Sequence, residues 1–491
     1  MDKLTSTFSR FFKASIAITP RFKKAMFLAG IIYLVFPYLL FYGLFVKPIF
    51  AVICILGCLT AIFFTFKESP ANDFGETIKI PIITVIITII ILTGLLTATG
   101  LGGVMGRQAS DLDRTNGILN DYLTYGLPTP YYKADGSLWG YLTYYNALYT
   151  PSIIIGNLTG SFHAAEVTML LYSIIGLVIG VFWLYLVTRR ARLKTLFLFL
   201  FFSGMDSIGY FIVQGQFITP FKHLDLWANV TGEEFGHIAN YHSMGTAMRY
   251  SVQHYIPAFI VCFMLYYMFT QTKNYKTAIL LAASLCLWSP FVAISVVPFA
   301  VAVFIFEKCN FKKFFGGSAI FSILFIGLPM IIYFLSMPAN EVQGTADGIR
   351  GLGWVVYNWP ILLLFIALEF DILCWFLYKG GTVNTPEKRL LFFVSVGVLI
   401  GGLFFDFGSC HDFSMRLAII PWFMSFVMIP EATEKSSSPY RGLLIACLLI
   451  GAISCFTEYA TMVAGLNDYG TNAYHAVLPT GSHTLVGWDL Q

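Results

Sequence analysis

Charged residues are scarce in this sequence. They make up 11% of its 491 residues, whereas hydrophobic residues make up 57%. A soluble domain usually has about 25% charged residues. The composition therefore excludes a protein that has water as its only solvent, and it predicts a chain that lies largely within a lipid bilayer.

Patterns typical of disulfide frameworks, metal sites and nucleic-acid binding are missing as well. Most of the 9 cysteines lie inside apolar runs, and no HExxH or similar ligand spacing occurs. The formal net charge of +4 does not indicate a nucleic-acid partner. The cofactor is unknown from the sequence; a divalent cation is compatible with it but is not required.

The basic N-terminal segment has no small-residue cleavage site close behind a short apolar run, so we interpret the first apolar run as a retained anchor. Similar runs recur along the whole chain and predict one all-α transmembrane domain over residues 1–491, with about eleven spans. The predicted spans are 26–46, 48–66, 80–101, 164–187, 195–213, 253–270, 318–335, 357–378, 390–405, 417–429 and 442–456.

The apolar segment 278–306 differs from the predicted spans, because Trp288-Ser289-Pro290 interrupts it and basic residues stand at both of its ends. Proline removes a backbone donor, and basic flanks favour the same side of the membrane. We therefore predict a re-entrant hairpin of two half-helices.

The placement of Lys and Arg predicts an orientation. Most of the 30 Lys and Arg fall on the cytoplasmic side when the N-terminus is cytoplasmic, and the C-terminus is then extracytoplasmic. All 8 histidines lie on the extracytoplasmic side in this arrangement. Ionisable groups at a membrane boundary cost free energy unless they are partnered or used, so we expect the functional site there. The polar outer segments are the loops 102–163 and 214–252, residues 406–416 and the C-terminal tail 457–491.

The first outer loop carries two acids directly after a predicted span. Asp111 and Asp113 lie beside Arg114 and are followed by Asn116. A partly desolvated carboxylate at this position can act as a general base or bind a metal pyrophosphate, with Arg114 and Asn116 contacting the substrate. An ion-paired, solvated turn that caps a helix explains the same residues without chemistry, so both interpretations stay open.

The same loop is rich in tyrosine and includes Tyr144 and Tyr145. Aromatic rings stack on sugars, but they also anchor proteins at the membrane interface. Residues 142–158 are compatible with a helix that lies in the interface. The sequence does not decide between substrate stacking and an interfacial belt.

Acids, imidazoles and a guanidinium surround the second outer loop. They can hydrogen-bond a substrate or satisfy each other at the boundary, and a metal site would need partners from distant loops. The candidates are Asp206, His223, Asp225, His242 and His254 for the substrate, and Arg249 for a phosphate.

A third polar segment contains His411 and Asp412 and precedes Arg416, at the outer end of an apolar span. An unpaired guanidinium at mid-membrane costs about 2.5–3.5 kcal/mol even on insertion scales. Arg416 can bind a phosphate with its planar fork, or it can pair with Asp412 one helical turn earlier. Glu369 and Asp371 lie inside another predicted span, as a coupling-ion site or as part of a polar seam.

Together these motifs resemble the GT-C superfamily of integral membrane glycosyltransferases, particularly its uncharacterised bacterial members. In that family a carboxylate on the first outer loop acts at the reaction centre, and basic residues hold the phosphate of a polyprenyl-linked donor. The resemblance implies Asp111 or Asp113 as the base, and Arg416 assisted by Arg249 as the phosphate ligands. It lies in Ser110-Asp111-Leu112-Asp113-Arg114, in Tyr144-Tyr145-Asn146-Ala147-Leu148-Tyr149-Thr150-Pro151, and in Asp412-Phe413-Ser414-Met415-Arg416 followed by Pro421.

The function implied by the resemblance is extracytoplasmic transfer of a sugar from a polyprenyl-phosphate donor to a hydroxyl of a glycan, lipid or protein acceptor. The implied location is the bacterial inner membrane, among membrane lipids. A transporter or flippase of a lipid-linked saccharide is a second hypothesis. A membrane polysaccharide polymerase or acyltransferase with His411 or His254 as its base is a third.

Overall fold

A computed structural model describes residues 14–132, 135–215, 235–336, 348–407, 411–467 and 486–487. Most of these residues are helical. In this part of the chain eight helices are long and apolar enough to cross a membrane, in agreement with the predicted helical, multi-pass membrane protein. The candidates His223 and Asp225 lie outside the described residues.

The helices follow the apolar runs, and capping residues begin several of them. Thr19 caps the first helix by accepting a hydrogen bond from the Phe22 amide, and Pro20 occupies its first turn. In chain order the helices are α1 Pro20–Phe45, α2 Pro48–Glu68, α3 Ile82–Ala98, α4 Ser110–Tyr125, α5 Tyr149–Thr159, α6 Phe162–Thr188, α7 Leu193–Leu200, α8 Asp206–Gln214, α9 Met244–Tyr250, α10 Val252–Thr272, α11 Ala278–Ser284, α12 Pro290–Phe306, α13 Phe311–Phe314, α14 Gly317–Leu335, α15 Leu352–Lys379, α16 Pro386–Gly402, α17 Asp412–Lys435 and α18 Tyr440–Ala464.

Some predicted spans correspond to shorter or interrupted helices, so the number of eleven crossings stays a prediction. The helices α3 and α16 have 17 residues each. The span predicted at 195–213 is divided into α7 and α8 by the non-helical residues 201–205. The helix α18 extends to Ala464, so the outer tail predicted from residue 457 begins inside a helix.

Three small antiparallel sheets correct the all-α prediction in detail. Extended connections at the helix ends pair with one another because this satisfies their backbone donors and acceptors. The first sheet pairs β1 (Ser15–Ile18) with β2 (Ile78–Pro81), the second has the order β3 (Pro130–Tyr132), β4 (Leu138–Leu142), β7 (Val486–Gly487), and the third pairs β5 (Gly348–Ile349) with β6 (Phe405–Asp406).

Ion pairs join the basic connections at one end of the bundle, which we call the basic end. The amine of Lys388 lies 2.7 Å from the Glu431 carboxylate, and the guanidinium of Arg190 lies 2.9 Å from the Glu434 carboxylate. A further pair joins Lys273 to Glu387 in the first turn of α16. The helices α10 and α17 begin at the other end of the bundle, the site end, and run to the basic end.

The segment 278–306 forms two helices, α11 and α12, separated by the non-helical residues 285–289, and its re-entry into the membrane stays a prediction. Its two ends meet at the basic end, because the Tyr275 hydroxyl donates to Glu307 at 2.6 Å and the Tyr275 amide donates to the Lys313 carbonyl at 3.2 Å. Its tip reaches the bundle interior, where the Leu287 amide donates to the Tyr38 hydroxyl at 2.9 Å. The indole of Trp288 is fixed there by a 3.1 Å bond to a carbonyl of α1.

Residues 201–205, which we call the break between α7 and α8, pack closely against the backbone of α18 and give a first testable prediction. A Cβ atom at Gly451 would lie 2.6 and 2.7 Å from the carbonyl oxygens of Ser203 and Gly204, closer than packed atoms approach. Overpacking of this kind costs about 1–3 kcal/mol. We expect Gly451→Ala to lower the thermal unfolding temperature of the purified protein in detergent.

The same helix provides a control for this substitution. Gly442 has nothing within 4 Å of the position of an added Cβ atom. Gly442→Ala should leave the unfolding temperature unchanged or raise it, since alanine favours helix by about 1 kcal/mol over glycine. Equal unfolding temperatures for the two variants would contradict the packing of α18 against the break.

Candidate functional site

The site end gathers side chains from segments that are far apart in the sequence. The helix α4, the turn between β4 and α5, the start of α10, the tip of the hairpin and the start of α17 meet there. We call the polar side chains at this meeting point the Arg416 cluster. Its members are Asp111, Arg114, Tyr144, Tyr145, His242, His254, Asp412 and Arg416.

Arg416 is the centre of the cluster and is only 6% exposed. Its Nη2 lies 2.9 Å from Oδ2 of Asp412, and its Nη1 donates to the Tyr145 hydroxyl at 3.0 Å. The rings of Tyr145 and Phe291 lie 5.2 and 5.9 Å from the guanidinium carbon. The Nε atom of Arg416 has no hydrogen-bond partner among the described residues. The predicted ion pair with Asp412 therefore exists, and it leaves a buried donor of the guanidinium unused.

The tyrosines of the first outer loop are folded into the bundle. The Tyr144 amide donates to the Tyr333 hydroxyl at 3.1 Å, and the Asn146 amide group donates to the same oxygen at 3.0 Å. The Tyr122 hydroxyl donates to the carbonyl oxygen of the Asn146 side chain. Since these bonds fix the turn from two sides, Tyr144 and Tyr145 form a wall of the site instead of a belt at the membrane surface.

Two buried imidazoles lie beside Arg416. The His254 ring meets the edge of the Tyr145 ring, with 5.5 Å between their centres, and the His242 ring stacks on Tyr255 at 6.0 Å. Burial lowers the pKa of His242 to about 3, and the positive charge of Arg416 acts in the same direction. His242 is therefore neutral at physiological pH. Its Nδ1 atom has no partner among the described residues.

The structure separates the two candidate carboxylates on α4. Burial by itself would lower the pKa of Arg114, but a hydrogen bond to Tyr144 and the negative charges of Asp111 and Asp412 raise it above its ordinary value. Asp111 thus belongs to the same charge network as Arg114 and Asp412. Asp113 is exposed, and no ion pair or hydrogen bond joins it to another described residue. Asp111 therefore lies within the charge network of Arg114, and Asp113 lies outside it.

Asn116 is used inside the protein, although the sequence suggested substrate binding. Its side-chain amide donates to Oε1 of Gln108 at 2.9 Å, and Gln108 donates in turn to the Glu166 carboxylate at 3.3 Å. This chain of bonds attaches α4 to α6. Asn116 therefore helps to place Asp111 instead of facing the cluster.

Arg249, the second predicted phosphate ligand, forms a buried ion pair. Its Nη1 lies 2.8 Å from Oε2 of Glu458, and both side chains are almost completely buried. Glu458 belongs to the segment predicted as an outer tail, but it lies inside α18. The sequence analysis did not predict this ion pair, which connects Arg249 to α18.

Disrupting this ion pair gives a second testable prediction. Arg249→Met or Glu458→Met leaves one buried charge without its partner, which typically costs about 3–5 kcal/mol. The double variant removes both charges and should recover most of the lost unfolding temperature in detergent. If Arg249→Met instead left stability unchanged, Arg249 would not have the structural role that the ion pair implies.

Asp206 and Glu369 lie at the break between α7 and α8. The buried Asp206 accepts a 2.6 Å hydrogen bond from Ser203, and its Oδ1 has no partner among the described residues. Glu369 is buried in a π-helical turn of α15 and packs against Gly204, whereas Asp371 is exposed. Both buried acids therefore lie where the break meets α15, and the two interpretations of Glu369 and Asp371, a coupling-ion site and a polar seam, both stay predictions.

His411 is bound to a pair of residues that the sequence analysis did not select. Its Nδ1 lies 3.0 Å from Oδ1 of Asp406 and 3.2 Å from Nη2 of Arg350. Burial by itself would raise the pKa of Asp406, but hydrogen bonds and positive charge from His411 and Arg350 outweigh it and lower the pKa. The available signal for Arg350 was a single arginine directly before an apolar run, where a charge needs a partner.

A metal site is not apparent in the part of the chain that the structure covers. Among these residues, no group of three or more His, Cys, Asp or Glu side chains is arranged to hold a metal ion. The divalent cation considered from the sequence therefore has no ligand set to support it here, and His223 and Asp225 lie outside this part.

Comparison of the chain with family models, with curated proteins and with solved structures finds no match. Its function must therefore be argued from the geometry of the Arg416 cluster.

Proposed function

We propose that the chain is a membrane glycosyltransferase that moves a sugar from a polyprenyl-phosphate donor to an acceptor hydroxyl at the site end. The observation that carries the proposal is the buried Arg416 guanidinium, which retains an unused donor between aromatic walls. A desolvated guanidinium binds a phosphate more strongly than an exposed one, because water competes less for it.

The donor phosphate binds at Arg416 in this proposal. Asp412 pairs with the Arg416 guanidinium and is partly exposed. An incoming phosphate can therefore replace some of the contacts between Asp412 and the guanidinium. Because His242 is neutral, it does not repel the Arg416 guanidinium. Its Nδ1 atom is available for a hydrogen bond to the bound donor. The lipid tail lies among the apolar helices, and the sugar lies against Tyr144 and Tyr145.

Asp111 is the base in the proposed reaction. It takes the proton of the acceptor hydroxyl while the oxygen forms a bond to the anomeric carbon of the sugar. The bond between this carbon and the phosphate oxygen breaks, and the lipid phosphate leaves with the electron pair. Arg416 stabilises the charge that develops on the leaving phosphate.

The proposal includes the orientation expected from the sequence. The basic end faces the cytoplasm, as the positive-inside rule indicates, and the site end faces the outside of a bacterial inner membrane. Eleven crossings and the hairpin bring the N-terminus to the cytoplasmic side and the C-terminus to the other side. Cysteine labelling at exposed positions of the two ends in intact cells tests this orientation.

A transfer assay tests the proposal directly. Purified protein in nanodiscs is incubated with radiolabelled polyprenyl-phosphate sugars and with candidate glycan, lipid and protein acceptors. The expected result is label on an acceptor and release of unlabelled lipid phosphate. Movement of intact labelled lipid across a proteoliposome bilayer, without cleavage of the sugar bond, would favour a flippase and reject the proposal.

One observation favours the polymerase or acyltransferase hypothesis as a second candidate. The 3.0 Å contact with Asp406 orients the His411 imidazole as a carboxylate orients a catalytic histidine base. In that case His411→Asn abolishes transfer and Asp111→Asn does not. Because the Asn side chain tolerates the left-handed backbone of His411 (φ 58°), this variant removes the base at little backbone cost.

A further inference from the structure

Arg350 is a buried residue whose guanidinium connects three segments of the site end. Its Nη1 donates to the carbonyls of Ile238 at 2.6 Å and Leu403 at 3.0 Å. Its Nη2 lies 2.8 Å from Oδ2 of Asp406 and 3.2 Å from Nδ1 of His411. Burying a charge costs free energy unless every donor has a partner, so this network fixes its members strongly.

The segments that Arg350 joins lead directly into α17. The backbone is held as well, since the Arg350 amide donates to the Phe404 carbonyl at 2.9 Å and β5 pairs with β6. After Asp406 the chain reaches His411, which adopts a left-handed conformation immediately before the helix. The Phe413 amide donates back to the Phe407 carbonyl at 3.0 Å, which attaches the first turn of α17 to the residue that follows β6.

The first two turns of α17 carry Arg416, which binds the donor phosphate in the proposed function, and its partner Asp412. Asp412 is the first residue of the helix, and Arg416 follows one turn later. A displacement of the helix start therefore moves the guanidinium away from Tyr145, which belongs to a turn fixed independently by α14. Small errors in the placement of binding groups reduce affinity and rate strongly.

We propose that Arg350 is a positioning residue that, together with Asp406 and His411, holds the start of α17 so that Arg416 meets the phosphate of the donor. This inference rests on the proposed function for the identity of the ligand. It assigns a role to a network that contacts Arg416 only through the helix start. It also explains why a buried arginine is placed at the outer end of α15.

The test uses Arg350→Lys, which keeps the charge but loses the fork, and Asp406→Asn, which keeps the shape but loses the carboxylate. Arg192→Gln is the matched control, because Arg192 is exposed and pairs with Glu434 at the basic end. The expected result is a rise of about tenfold in KM for the polyprenyl-phosphate sugar, with little change in KM for the acceptor. Arg192→Gln should leave both KM values unchanged.

A double-mutant cycle distinguishes positioning from general loss of structure. If Arg350 acts through Arg416, adding Arg350→Lys to Arg416→Lys should change the donor KM much less than adding it to the wild type. A purely structural role would lower activity toward donor and acceptor alike and would add to the effect of Arg416→Lys. Equal donor KM values for folded Arg350→Lys and wild type would overturn the inference.

Direct binding of polyprenyl phosphate in nanodiscs separates this inference from the proposed function. If the wild type binds the lipid phosphate but transfers no sugar, the proposed function fails, and weaker binding by Arg350→Lys still supports the positioning role. If Arg350→Lys and Asp406→Asn bind the lipid as tightly as the wild type, the positioning role is rejected whatever the transfer assay gives.

Discussion

Arg416→Lys should reduce sugar transfer by about 10- to 100-fold, because losing charge-assisted hydrogen bonds costs about 1.5–3 kcal/mol. Lysine keeps the positive charge but cannot contact Tyr145, Asp412 and a phosphate with one planar group. The loss should appear mainly in KM for the polyprenyl-phosphate sugar and in the binding of polyprenyl phosphate itself. Steady-state kinetics in nanodiscs measure both.

Two controls make this result interpretable. Arg192→Lys replaces an exposed arginine at the basic end and should not change transfer. The Arg416→Lys protein should keep its unfolding temperature to within a few degrees, since the ammonium can still pair with Asp412. If a folded Arg416→Lys variant bound the donor as tightly as the wild type, Arg416 would not be a ligand of the donor phosphate.

Asp111→Asn should lower kcat by about 10²- to 10⁴-fold, the usual contribution of a general base. Asparagine has nearly the same size as aspartate but cannot take the acceptor proton. Asp111 is exposed at the start of α4, so the substitution should leave folding intact. Donor KM should change little, because the proposed function assigns the donor phosphate to Arg416.

Asp113→Asn provides the matched comparison, two residues further along the same helix. Asp113 is exposed and lies outside the charge network of Arg114, so its variant should retain transfer close to the wild-type rate. If Asp113→Asn lost most of the transfer rate while Asp111→Asn stayed active, Asp113 would be the base instead of Asp111. Full activity in both variants would show that neither carboxylate is the base.

The relation between sequence and structure differs among the candidate residues. Arg416, Tyr145 and His254 were selected as ionisable or aromatic groups at predicted span ends, and the structure brings them together. Asn116 and Arg249 were selected by the same reasoning, but Asn116 bonds to Gln108, and Arg249 pairs with Glu458 while its Nε has no partner among the described residues. Residue type and position at a span end therefore do not determine which of these groups join the Arg416 cluster.

The helical fold and the separation of charge were determined by the sequence alone. Bilayer thickness sets the length of an apolar run, and an unpaired backbone cannot remain in lipid, so each run must become a helix. The break before Pro290 is only partly local, because Pro290 begins α12 whereas Pro298 lies inside the same helix, so a proline does not by itself mark a break. The other two properties depend on residues close together in the chain.

The composition of the site was decided only by tertiary structure. Arg416 bonds to Tyr145 across 271 residues of sequence, and Arg249 bonds to Glu458 across 209. Which face of α4 meets the Arg416 cluster depends on how the Asn116 bonds attach it to α6. The partners of Arg350 come from Ile238, from the segment after α16 and from the residue before α17. Such contacts have no local signature, because packing of distant helices determines which buried donors find acceptors.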